Sequence, residues 1–189
     1  MAADTPAVIV GSGANGLGVA RSLARERVSV WLLDSDARRP EMHTLTANPV
    51  TVSSLHGETL VEELVRVAET RFSGLRPVLF LTQEESVKTV SHHRDRLSAL
   101  YRFSLPTIDT VDVLQHKQGF QRLAERLGSP IPPLVHVRAL ADLPAIENLR
   151  YPVVIKPGER NAEYSRQFKK AYRAESAAEA VELIRRILA

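Results

Sequence analysis

The chain has 189 residues, a net charge of +3, 44% hydrophobic and 25% charged residues, and no cysteine. That length suits one large or two small domains of an ordinary globular protein, and the lack of cysteine excludes disulfides, thiolate metal sites and a cysteine nucleophile. The basic residues are scattered, as in "DARRP" and "LIRRIL", so no stripe for nucleic acid forms, and no apolar run approaches the ~18 residues of a membrane span.

The N-terminus, "MAADTPAV", lacks the basic and apolar regions of a secretory signal. "AVIVG" then reads as a buried strand, because Val8, Ile9 and Val10 form a continuous apolar run. "VIVGSGANGLG" follows it into a turn with Gly11, Gly13 and Gly16 in the spacing G-x-G-x-x-G. Leu17 to Glu26 reads as a helix, with Leu17, Ala20 and Ala24 on one stripe, and "VSVWLLD" as a second strand ending at Asp34. "HTLTANPVTVSSLHG" is either a short strand near Val50 to Val52 or loop. "GETLVEELVRVAETRF" is an amphipathic helix, "RPVLFLT" a third strand and "QEESVKTVSHHRDRLSALYRF" a further helix. Strand alternating with helix predicts a Rossmann-like α/β domain built on a parallel sheet.

The pattern changes after "FSLPTID", which places a domain boundary near Leu105. A helix over "TVDVLQHKQGFQRLAERLG" stops at Gly128, and "SPIPP" makes a stiff turn. "LVHV" reads as a short strand, "ALADLPAIENL" as a helix, "YPVVIKPG" and "QFKKAYRA" as strands, and "SAAEAVELIRRILA" as a final helix. The closer spacing predicts a small α+β domain.

Two features carry chemistry. Glycine lets backbone N–H groups approach a ligand, and the helix that follows favours an anion at its N-terminus. Asp34 stands near the ~20-residue spacing at which a dinucleotide fold places its ribose-binding acid. Taken alone this favours NAD, but the chain lacks the second mononucleotide half of a dinucleotide domain. A tight structural turn, or a turn lining another ligand site, uses the same glycines. The second feature is a pair of lysines. Lys117 interrupts an apolar stripe of Val113, Phe120, Ala124 and Leu127, and Lys156 ends the run "PVVIKP". Each could be a solvated surface residue; together in one small domain they suggest two cations meeting a phosphate. His92-His93, Glu62-Glu63 and Glu84-Glu85 read as surface pairs, Trp31 as core, and Ser12 has no base to make it a nucleophile.

At "LQHKQGFQRLAERLGSPIPPLVHV" and "YPVVIKPG" the chain resembles the ATP-grasp superfamily, in its carboxylate–amine ligase branch. "VIVGSGANGLGVARSLARERVSVWLLDSD" and "HHRDRLSALYRFSLP" are similar to the same branch, so the likeness covers nearly the whole chain. It implies a pre-ATP-grasp domain over 1–104 and the N-terminal ATP-grasp subdomain over 105–189. The two ATP-phosphate lysines would fall on Lys117 and Lys156, in one cleft between the domains, with Lys170 lining the nucleotide site. The turn residues Gly11, Ser12, Gly13, Asn15 and Gly16 would face the non-nucleotide substrate. The implied reaction joins a small-molecule carboxylate to an amine through an acylphosphate, with ATP and magnesium, in the cytoplasm; a homodimer is left open. "GERNAEYSRQF" departs from the family pattern in holding one glycine where a glycine-rich loop is usual. The magnesium-binding Glu and Asn of the family lie beyond the matched segment, so the chain reads as an N-terminal half, inactive alone. Rival readings are an NAD(P)-dependent oxidoreductase and a non-catalytic nucleotide-binding module.

Overall fold

A computed structural model of the protein describes residues 5–156 and 167–188. The chain divides into two compact units, Met1–His116 and Lys117–Ala189.

The first unit contains β1 (Ala7–Val10), α1 (Ala14–Arg25), β2 (Val30–Asp34), β3 (Asn48–Thr51), α2 (Gly57–Phe72), β4 (Val78–Leu81), α3 (Glu84–His92), α4 (Arg94–Ser98) and α5 (Ile108–Gln115). Its four strands are parallel in the order β3-β2-β1-β4. Central β1 is buried along its length because both faces of the sheet are covered. Val8 and Val10 face a core with Leu33, Leu60, Leu64 and Leu97, whereas Ile9 faces Ala20, Val30 and Leu32. Trp31 packs edge-on against Phe72, with ring centroids 5.0 Å apart. The ambiguous stretch near Val50 is strand β3, at the edge of the sheet, where Pro49 removes no ladder bond the interior needs. The predicted helix over 83–103 is two helices, divided at His93, whose φ of −107° and ψ of 27° leave the helical region.

The units divide at His116, further along than the boundary expected near Leu105, because α5 stays with the first unit. Gln115 Nε2 donates to the Glu84 carbonyl at 2.8 Å, and His92 lies 3.5 Å from the Asp112 carboxylate. The single helix predicted over 110–127 is interrupted at the same residue. His116 is extended (φ −90°, ψ 116°), and α6 (Lys117–Arg126) begins anew after it. The stripe drawn through Val113, Lys117 and Phe120 is therefore not one helix face: Ala124 is buried, while Phe120 and Leu127 are exposed.

In the second unit α6 is followed by a 3-10 helix (Leu140–Asn148), β5 (Val153–Ile155), β6 (Tyr172–Ala174) and α7 (Ala177–Leu188). Pro144 lies inside the 3-10 segment, where it denies an α-helix one of its N–H donors. The strand predicted over "LVHV" does not form. Val135 and Val137 pack as irregular chain against a core of Leu143, Ile146, Ala174, Ala180 and Ile184. β5 and β6 pair antiparallel, with Val153 opposite Ala174 and Ile155 opposite Tyr172.

Candidate functional site

The glycine turn sits at the carboxyl end of β1, between β1 and α1. Gly11 has φ +93°, and a Cβ there would come 2.6 Å from the Thr82 hydroxyl. That hydroxyl reaches the carbonyl oxygens of Val10 (2.9 Å) and Gly11 (3.0 Å), tying the turn to the end of β4. A Cβ on Gly16 would lie 1.9 Å from the Gly11 carbonyl oxygen, so helix and strand can approach only because that atom is missing. Gly18 meets nothing within 4 Å. Gly11 and Gly16 are thus fixed by the turn itself.

Asp34 anchors the turn from beneath. Its Oδ2 accepts the Ser12 hydroxyl at 2.6 Å, the Ser12 N–H at 2.8 Å and Arg39 Nη1 at 3.3 Å, while Oδ1 accepts the Asp36 N–H at 3.2 Å. Asp34 is 2% exposed and Ser12 fully buried. Burial pushes this carboxyl up, but the hydrogen bonds from Ser12, Asp36 and Arg39 outweigh it and hold Asp34 below the usual carboxylate range. The acid that spacing alone offers to a ribose is spent on the protein's own backbone. Ser12, expected at the substrate, instead points inward to Asp34.

The crest of the turn is different. Ala14 and Asn15 are exposed and Gly13 half-buried. Gly13 caps α1 without a side chain, so the positive end of the helix faces outward uncapped. Arg39 lies beside it, with Nη1 4.0 Å from where a Cβ on Gly13 would stand and a side chain 42% exposed. Sequence reading missed Arg39, since "DARRP" looks like a solvated pair. Chemically, the crest offers backbone N–H groups and a guanidinium to an anion.

In the second unit, Lys156 follows β5 directly and is exposed, as is Val154. Lys170 stands just before β6. Since Ile155 pairs with Tyr172, the antiparallel register brings Lys156 and Lys170 to one end of the ladder. Lys117 is the first residue of α6; its side chain lies outside the described residues, as does the segment containing Gly158. Among the described residues no three His, Cys, Asp or Glu side chains gather as metal ligands. No helix among them is long and apolar enough to cross a membrane.

No family model matches the chain, and no curated protein matches it in sequence. Solved structures do match. N5-carboxyaminoimidazole synthetase from Staphylococcus aureus complexed with ADP superposes with a TM-score of 0.66 at 17% identity, over 97% of this chain and 44% of that one. L-amino acid ligase from Bacillus licheniformis gives 0.62 at 15% identity, over 99% and 43%. The biotin carboxylase domain of 2-oxoglutarate carboxylase from Hydrogenobacter thermophilus, in complex with MgADP, ADP and bicarbonate, gives 0.59 at 12%, over 97% and 40%. The chain spans less than half the length of each of these structures. Its mixed α/β fold is that of the N-terminal part of ATP-grasp carboxylate–amine ligases.

Proposed function

We propose that this chain, which has the fold of the N-terminal part of ATP-grasp ligases, provides the substrate-anchoring turn and the phosphate-facing lysines of an ATP-dependent carboxylate–amine ligase. The observation that carries this reading is the placing of Lys156 and Lys170 at one end of the β5–β6 ladder, on a fold shared with enzymes solved with ADP. Two ammonium groups there would offset the charge of ATP phosphates, joined by Lys117 from the start of α6. At the glycine turn, the uncapped N-terminus of α1 and Arg39 would hold an anionic group of the non-nucleotide substrate. The carboxylate oxygen would attack the terminal phosphorus and ADP would leave. An amine would then displace phosphate from the acylphosphate. No step is assigned to a metal held by the described residues.

The geometry of Asp34 argues against the nicotinamide alternative. A ribose would have to displace Ser12 from a buried carboxylate, leaving the buried Ser12 donors unpaired at about 1–3 kcal/mol each, and would have to displace the partly exposed Arg39 as well. Calorimetric titration of the whole chain with ATP tests the proposal. Saturable binding that weakens in Lys156→Ala supports it, and binding of NADH with none of ATP overturns it.

A further inference from the structure

At the opposite end of the parallel sheet from the glycine turn, an open groove of about 350 Å³ is lined by Arg76, Arg94, Arg102, Asp95 and Phe103, among others. The topology fixes its place. Arg76 lies just ahead of β4, and Arg102 bridges Val78, the first residue of β4, through its backbone. The Arg102 N–H donates to the Pro77 carbonyl at 2.9 Å, and the Arg102 carbonyl accepts the Leu79 N–H at 2.8 Å. The groove therefore opens at the amino end of the strands, whereas the glycine turn follows their carboxyl ends.

Three guanidinium groups face one carboxylate here, and none of the three is in an ion pair among the described residues. Elsewhere in the same unit, Arg38, Arg39, Arg66 and Arg96 are each held by a carboxylate, while Arg21, Arg25, Arg27 and Arg71 are scattered and in no ion pair among the described residues. Arg76 and Arg94 are positioned by neutral groups instead. Arg76 Nη2 donates to the carbonyls of Ser98 and Tyr101, and Arg94 Nη2 to those of Leu105 and Pro106. Arg94 also lies over the Phe103 ring, 5.8 Å from its centroid. Carbonyl oxygens orient a guanidinium without cancelling its charge, and each uses only one terminal nitrogen, so Nη1 and Nε stay available. Arg102 has an exposed side chain with no hydrogen-bond or ion-pair partner among the described residues.

A second groove of about 330 Å³ adjoins the first and shares Arg94 and Asp95 with it. Ser91 lines it, 3% exposed, and its hydroxyl has no hydrogen-bond partner. A buried hydroxyl without a partner is uncommon; Ser86 holds another, but it lines neither groove. We propose that these joined grooves form a second ligand site for a small organic phosphate. Its phosphate group is held between Arg76, Arg94 and Arg102, and its hydroxyl-bearing body extends past Arg94 toward Ser91. Guanidinium groups pair with carboxylate and phosphate alike, but three of them suit the three oxygens and near-double charge of a phosphate monoester better than the two oxygens and single charge of a carboxylate.

The test uses the whole chain and inorganic pyrophosphate as probe, followed by calorimetry and by amide chemical shifts. Saturable binding is expected, with shifts at Ser98, Arg102 and Phe103. Arg102→Ala, which leaves the backbone bridge intact, should weaken binding about tenfold or more. Arg102→Gln should do the same with an unchanged melting temperature, which separates lost charge from lost folding. Pyrophosphate can also meet the lysines at the end of the β5–β6 ladder, so the two sites are told apart by the amide shifts: those at Ser98, Arg102 and Phe103 should saturate alike in the parent, Arg39→Ala and Lys156→Ala, which sets the result apart from the ligase reading. Absence of saturable shifts at these residues, shifts indifferent to both Arg102 variants, or shifts lost in Arg39→Ala or Lys156→Ala would overturn the assignment.

Discussion

Ser12 gives both its hydroxyl and its backbone N–H to one oxygen of Asp34, at 2.6 and 2.8 Å, across two strands of the sheet. This clip joins the start of the glycine turn to the end of β2 and sets the height at which α1 begins. Ser12→Ala removes a hydrogen bond to a buried carboxylate and should lower unfolding stability by about 1.5–3 kcal/mol. Urea denaturation at neutral pH measures it, and a loss below about 0.5 kcal/mol would contradict the role given to the clip.

The same clip predicts a pH dependence. The folded-state pKa of Asp34 is depressed, so its contribution is present above the ordinary carboxylate value near 3.9 and is lost as pH falls through the lower folded value. Asp34→Asn should therefore be clearly less stable than the parent at pH 7, and the gap should narrow below about pH 4. Paired urea curves at neutral and acid pH give the gap, and a gap independent of pH would show that Asp34 is not held ionised.

The glycines divide by what a methyl group would meet. Gly16→Ala forces a Cβ against the Gly11 carbonyl and should cost at least about 3 kcal/mol or prevent folding. Gly18→Ala adds a methyl into open space within α1 and should raise stability by up to about 1 kcal/mol. Thermal melts of both variants decide the matter; equal effects would mean that the close approach of α1 to β1 is misplaced.

Much of this arrangement is legible in the sequence, and the exceptions have definable causes. Helix α2 matches its periodic stretch from Gly57 to Phe72, and β1 shows itself as a short run with no polar residue. The break at His116 does not, because residues on both sides keep helical spacing and one extended residue leaves no trace in the periodicity. "LVHV" has strand composition but pairs with no strand among the described residues, and composition cannot supply a partner. At the site, the glycine spacing announces the turn but not what uses it. The direction of the Asp34 side chain, inward to Ser12, is a tertiary fact. Arg39 reaches the turn from beyond β2 through a loop whose path nothing local prescribes.

The inward direction of Asp34 also makes a prediction about nicotinamide cofactors. With both oxygens engaged and 2% of the residue exposed, Asp34 has no face to offer a ribose. Titration with NADH, read by its fluorescence, should show no saturable binding. Micromolar binding that disappears in Asp34→Ala, with folding retained, would reverse the reading of the turn.

Lys156 provides the sharpest test of the nucleotide side. It is exposed at the end of β5, so its removal should leave folding almost untouched: an exposed ammonium contributes little to a core made by Ile155, Ala174 and Ile184. A charge-assisted hydrogen bond to phosphate contributes about 1.5–3 kcal/mol, which corresponds to roughly 10- to 150-fold in affinity. Lys156→Ala should weaken ATP binding by about that factor with the melting temperature held within about 2 °C. Lys170→Ala, at the same end of the ladder but across it, should act in the same direction. If the two lysines meet one triphosphate, the double variant should fall short of the sum of the single losses, because groups that share a ligand do not act independently. Strict additivity, or an effect of Lys170→Ala with none of Lys156→Ala, would show that the two lysines do not meet one triphosphate.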